Sequence, residues 1–262
     1  MVNRHEGAAG PLSVNGRLYV QGHNSVMAYD AYNGQFLWER GNEGAVRTGV
    51  FQNFNPGNVV AGDDSLFVMV KDECLELDGA TGEIKTTYRL PESKRDPDYQ
   101  RGYLAHYDGI LFGTASVRKE VEERRRRRGR VTEDSTDAVF AVEVGTGRHL
   151  WTYEGKSISH HTIALGPGRV YFIDSSISSE KRAALLRQDK TELKKLSDEE
   201  AKKAEEALKN QDVRLAVALD ARTGEPIWSK PVDVTDCSEI GTGGGQLTLI
   251  FQNDVLLLCG AN

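Results

Sequence analysis

Cysteine is scarce in this sequence. Three residues, Cys74, Cys237 and Cys259, stand far apart in a chain of 262. That spacing offers no zinc pattern, no C-x-x-C-H haem attachment and no disulfide framework. Cys74 and Cys259 lie in apolar, strand-like runs, so both are expected to be buried, inert thiols. Long apolar runs are missing too: no stretch approaches the 18 residues that a spanning helix needs. The opening residues, MVNRHEGAAGPLSVNG, hold no apolar core of a signal peptide, so none is expected in this segment. An excess of basic charge is lacking as well. Lys and Arg number 33 against 39 Asp and Glu, a net charge of −6, which argues against an overall field for nucleic acid. A hydrophobic fraction of 39% excludes a wholly disordered chain.

What is present is a repeated phrase. AYDAYNGQFLW (Ala28 to Trp38) returns as AVEVGTGRHLW (Ala141 to Trp151) and ALDARTGEPIW (Ala218 to Trp228). A worn copy, ELDGATGEIKT (Glu76 to Thr86), lacks the tryptophan. Its turn glycines are Gly34, Gly82, Gly147 and Gly224, spaced 48, 65 and 77 residues apart. A period of 40 to 50 residues marks a propeller blade or a solenoid unit.

Each copy reads as a β-hairpin. Asp30, Asp78, Glu143 and Asp220 leave the first strand where a carboxylate can accept backbone N–H groups, and the glycine supplies the positive φ of the turn. Two further short strands precede each hairpin, for example GPLSV (10–14) and RLYV (17–20), then GNVVA (57–61) and SLFVMV (65–70). Four short strands joined by tight turns make a meander, and a repeated meander is a blade. We letter the strands a to d. The chain then contains four a-b-c-d units and the a and b strands of a fifth, an incomplete ring. The fold class is therefore all-β, a propeller of four-stranded antiparallel blades, with 1–262 as one propeller segment. Trp38, Trp151 and Trp228 on strand d are expected to dock neighbouring blades, since a large aromatic fills the gap between twisted sheets.

The pattern A-x-D/E-x-x-T/N-G-x-x-x-W resembles the repeat of the PQQ-like β-propellers, which include quinoprotein alcohol dehydrogenases and propeller lipoproteins of outer-membrane assembly. The resemblance implies blades docked through the repeat's alanine (Ala28, Ala141 and Ala218) and tryptophan, and export to the periplasm if a signal peptide lies upstream. It also implies more blades than this segment holds, hence a piece of a longer chain whose open edges would allow self-association.

Two insertions interrupt the repeat, each between strands b and c. One, 116–137, is a charged loop containing Arg124, Arg125, Arg126, Arg127 and Arg128, flanked by glutamates. The acidic flanks and the lack of interleaved aromatics disfavour nucleic acid. The other, 175–212, reads as two helices, with a capping box at Ser197 and Glu200. Equivalent loops of consecutive blades emerge on one face, so a protein partner or a carbohydrate-like ligand is expected there, with the arginines as candidate contacts.

Catalysis finds little support. A PQQ dehydrogenase needs a carboxylate base, oxygen ligands for calcium and a stacking sandwich. The adjacent cysteines common in that family are absent, and Asp63, Asp64, Asp96 and Asp98 sit in turn-like or charged stretches. No catalytic, cofactor or metal residue is assigned. The favoured reading is a non-catalytic binding scaffold; the alternative is a segment of a PQQ- and calcium-dependent dehydrogenase. His160 and His161 begin an innermost strand, where neighbours point to opposite sides and cannot share one metal. GTGGG (241–245) lacks the Lys-Ser/Thr of a phosphate loop and feeds a strand.

Overall fold

A computed structural model of the chain describes residues 10–22, 24–42, 59–70, 72–95, 99–117, 135–174, 213–235 and 247–260. β1 (Leu12–Val14), β2 (Arg17–Gln21), β3 (Ser25–Asp30) and β4 (Phe36–Gly41) pair in chain order as one antiparallel sheet. β5 (Val59–Ala61), β6 (Ser65–Val70), β7 (Glu73–Asp78) and β8 (Ile84–Arg89) repeat that order. β9 (Tyr99–Tyr107), β10 (Ile110–Val117), β11 (Ser135–Glu143) and β12 (His149–Ser159) make a third blade. β13 (Ala164–Gly166), β14 (Arg169–Asp174), β15 (Val213–Asp220) and β16 (Pro226–Asp233) make a fourth. β17 (Thr248–Gln252) and β18 (Val255–Cys259) pair as a two-stranded ribbon. The blades are those of a β-propeller. Among the described residues the only helical pieces are two 3-10 turns, Glu92–Lys94 and His160–Thr162. The helical insertion expected at 175–212 lies outside the described residues, as do 118–134 of the charged loop, Cys237, Asp96, Asp98 and the GTGGG stretch.

The strands β6, β10 and β14 bury both faces, which is why they read as near-continuous apolar runs. On β6, Leu66 and Val68 join one core with Tyr19, Ala28, Trp38 and Leu77 of the first and second blades. Phe67 and Met69, pointing the other way, join a second core with Leu104, Leu111, Phe140 and Val142 of the third.

The chain divides into two compact units, Met1–Glu154 and Gly155–Asn262. The first contains both cores just described. Within the second, the end of β12 pairs with β14 at Ile158 and Asp174. The fourth blade packs on the ribbon through Ala164, Tyr171, Ala218 and Leu249.

Two expectations are corrected here. His160 and His161 do not open the innermost strand; they wind into the 3-10 turn His160–Thr162, and β13 starts at Ala164. Cys74 is buried, but Cys259 is exposed. On β18, Leu256 and Leu258 face the core, so the alternation sends Cys259 to the other side with Val255 and Leu257.

Candidate functional site

The repeat residues come together as a three-residue row across each blade. In the first blade Tyr19 lies opposite Ala28 and Ala28 opposite Trp38, with the two rings 6.0 Å apart. In the fourth, Tyr171, Ala218 and Trp228 repeat the row, with rings 6.1 Å apart. In the third, Phe112 faces Ala141 and its ring lies 6.1 Å from that of Trp151. Trp38 reaches the next blade: its Nε1–H donates to the Gly79 carbonyl at 3.0 Å, and its ring covers Gly82, where a Cβ would lie 2.6 Å from Cε3. The strand-b aromatics went unremarked in the sequence, although RLYV, SLFV, ILFG and RVYF show one at the same place each time.

A β-bulge sets these rows. Register shifts between Ala28 and Tyr29, between Glu76 and Leu77, and between Ala218 and Leu219 give strand d one extra residue in each hairpin. Such an insertion re-aims the side chains that follow it. The turns themselves are closed by carboxylates. Asp30 Oδ1 accepts from the Tyr32 and Asn33 amides at 2.8 and 3.0 Å. Asp78 Oδ1 accepts from Ala80 and Thr81, and Asp220 Oδ1 from Arg222 and Thr223. These backbone bonds hold the Asp78 and Asp220 carboxyls below the usual aspartate range. Glu143 instead accepts from the Thr146 hydroxyl at 2.8 Å. Gly34, Gly82, Gly147 and Gly224 all have φ near +70°, the left-handed region that favours glycine.

The worn repeat is compensated. Register places Glu76 where the other repeats have alanine, and Thr86 where they have tryptophan. Glu76 is buried. It accepts from Ser65 Oγ at 2.7 Å and from the Tyr88 hydroxyl at 2.5 Å. Tyr88 Oη in turn accepts the Gly145 amide at 3.1 Å, so Tyr88 carries the link to the third blade. Burial, with the bond to Glu76, raises the Tyr88 pKa well above its ordinary value.

Both insertions leave their blades at the ends of b–c hairpins. Pairing persists to Ala115 and Ala138 at one root, and to Asp174 and Leu215 at the other. A buried polar residue fastens each. Thr136 Oγ1 donates to the Ala115 carbonyl and accepts the Ala138 amide at 3.2 Å. Asp174 Oδ1 accepts the Ser157 amide at 3.1 Å. Arg124 to Arg128 lie outside the described residues.

Among the described residues, no three His, Cys, Asp or Glu side chains converge as metal ligands would. His160 is nearly fully buried, and burial, then the neighbouring His161, pushes its pKa down to about 3. Asp63 and Asp64 occupy an exposed bend, where the Asn15 amide approaches them.

A family model described as outer membrane protein assembly factor BamB, built on PQQ-type repeats, matches residues 22–236. Among curated proteins, none matches the chain significantly. Similar solved structures include the following three. The computationally designed Ika8 protein is 13% identical, with 96% of this chain and 54% of that one covered and a TM-score of 0.53. Quinohemoprotein alcohol dehydrogenase ADHIIG from Pseudomonas putida HK5 is 14% identical, with 98% and 39% covered and a TM-score of 0.52. The quinohemoprotein alcohol dehydrogenase from Comamonas testosteroni is 14% identical, with 98% and 40% covered and a TM-score of 0.50. Likeness at this identity shows the fold alone. The chain spans about half the length of these structures or less.

Proposed function

The chain belongs to the PQQ-like propeller family described as outer membrane protein assembly factor BamB, and from that membership we propose that it is a non-catalytic scaffold that binds a protein partner. The working surfaces are the insertions 116–137 and 175–212, one in each compact unit. The observation that carries this reading is the pair of insertion roots. The blades stay in register up to them, and the buried side chains of Thr136 and Asp174 fasten them with hydrogen bonds. Blade interiors are committed to aromatic and alanine packing, so loops rooted this way are free to vary without cost to the sheets. The arginine run Arg124 to Arg128 would steer an acidic surface toward the first of these insertions.

The test is deletion. Chains lacking 119–134 or 180–210 should keep the strand signal and melting transition of the parent but lose capture of its partner from an extract of the source cells. Binding should weaken steeply with salt. If both deletions retain capture, the working surface lies elsewhere. Titration with PQQ and calcium is the second arm; stoichiometric binding or dye-linked alcohol oxidation would overturn the scaffold reading in favour of the dehydrogenase. Self-association through the ribbon is a further expectation. Its Ile250, Val255 and Leu257 are exposed on one face, and light scattering across a dilution series would detect it.

A further inference from the structure

We propose that the junction of the second and third blades holds a binding site for a small carboxylate with an aromatic or apolar body. A cavity of about 510 Å³ opens there, within the range of small-ligand pockets. Its floor is apolar, made of buried Tyr88, Leu90 and Val142. Its rim carries the guanidinium groups of Arg89 and Arg95 and the imidazole of His149, against the single carboxylate of Glu92. Among the described residues the Arg89 guanidinium pairs with the exposed Glu73 at 3.3 Å, a contact that costs little to rearrange.

The cavity lies at the one junction whose repeat lacks a tryptophan. Over Gly82, the Trp38 ring leaves no room for even a Cβ. Over the equivalent Gly147, the nearest Tyr88 atom would be 3.9 Å from such a carbon. Gly147 and Tyr88 both line the cavity.

The walls are held in place before any ligand arrives. Lys94, in the 3-10 turn, is buried and pairs with Glu154 at 2.9 Å and Asp137 at 3.3 Å, with its Nζ 5.0 Å from the Tyr99 ring centre. Tyr99 completes the cluster by donating to Asp137 Oδ2 at 2.7 Å. Arg95 Nε donates to the Leu90 carbonyl at 2.8 Å, closing the connection on itself. Tyr88 is pinned from both sides, by Glu76 and by the Gly145 amide. A preformed pocket loses little entropy on binding. Burial holds His149 below its ordinary pKa, so at neutral pH the positive charge comes from the two arginines.

None of the cavity's lining residues lies in either insertion. Its test is titration of the ¹⁵N-labelled chain with indole-3-acetate, followed by NMR, beside indole-3-acetamide and the peptide acetyl-Gly-Gly-Trp with a free C-terminus. Shifts at Val142, Gly147 and His149 with millimolar affinity are expected for the acids. About tenfold weaker binding, some 1.4 kcal/mol, is expected for the amide. Binding of either acid supports the site, and preference between them tells a free acid from a chain terminus. R95M should weaken the acid about tenfold. R89M should also weaken it, and because the Arg89 side chain, among the described residues, bonds the exposed Glu73 carboxylate rather than the backbone, that variant separates ligand loss from local unfolding. Equal binding of acid and amide, acid binding unchanged in R89M, or no shift at about 10 mM would each overturn the proposal.

Discussion

Glu76 and Tyr88 show how one blade junction survives the loss of its tryptophan. A buried carboxylate with two hydroxyl donors replaces an alanine under an indole, and the tyrosine two residues beyond Thr86 takes over the contact to the next blade. Removing the acceptor leaves two hydroxyl protons without an acceptor in a dry place, a loss of about 1–3 kcal/mol. Glu76→Ala is therefore expected to shift the urea midpoint down by that amount, and Glu76→Gln by less, because an amide oxygen still accepts. An unchanged midpoint for Glu76→Ala would show that the carboxylate is dispensable. Trp38→Ala should cost more, about 3–5 kcal/mol, since it removes both buried area and the Gly79 bond. The glutamate was readable in ELDGATGEIKT as a departure from alanine. Its partner was not, because pairing with Tyr88 depends on which face of β8 turns inward.

At the scale of the element, the c–d hairpins were the most legible feature, because Asp, Gly and the turn between them act within five residues. The chemistry of Asp78 makes a prediction in pH. Bonds from the Ala80 and Thr81 amides hold its carboxyl below the ordinary aspartate value. A lowered folded pKa contributes stability that is fully present above about 4, the unfolded value, and is lost as pH falls through the folded one. Parent chain and Asp78→Ala should thus differ in melting temperature by a constant amount above about pH 4 and converge as pH falls through the lowered folded value. A gap that persists at pH 2 would show that the charge is irrelevant to the turn. Sequence did not disclose the bulge in the same hairpins. An extra residue on strand d changes no local pattern; it becomes visible only when Ala28 is seen opposite Trp38 and Tyr29 opposite Phe36.

For the molecule as a whole, proton linkage offers a global readout. His160 is buried and neutral when folded, with its pKa pushed down to about 3, whereas an unfolded histidine titrates near 6.5. Between those values the unfolded chain binds more protons, so stability should fall as pH drops from about 6.5 toward 3. His160→Gln should flatten that limb of the stability curve, measured by urea unfolding at each pH. A parallel curve for the variant would mean that other groups dominate acid unfolding.

By itself the sequence determined the blade: four short strands, their order, the turn glycines and the place of each tryptophan. These follow from local rules of alternation and turn geometry, which act over a few residues. Tertiary structure decided what the blades do to one another. Trp38 reaches a carbonyl 41 residues away, and the Gly145 amide reaches Tyr88 across 57. The exposure of Cys259, the burial of Lys94 and the cavity beside Tyr88 are of the same kind. Each depends on which sheet face meets the next sheet, and that is settled by packing among residues that no local pattern relates.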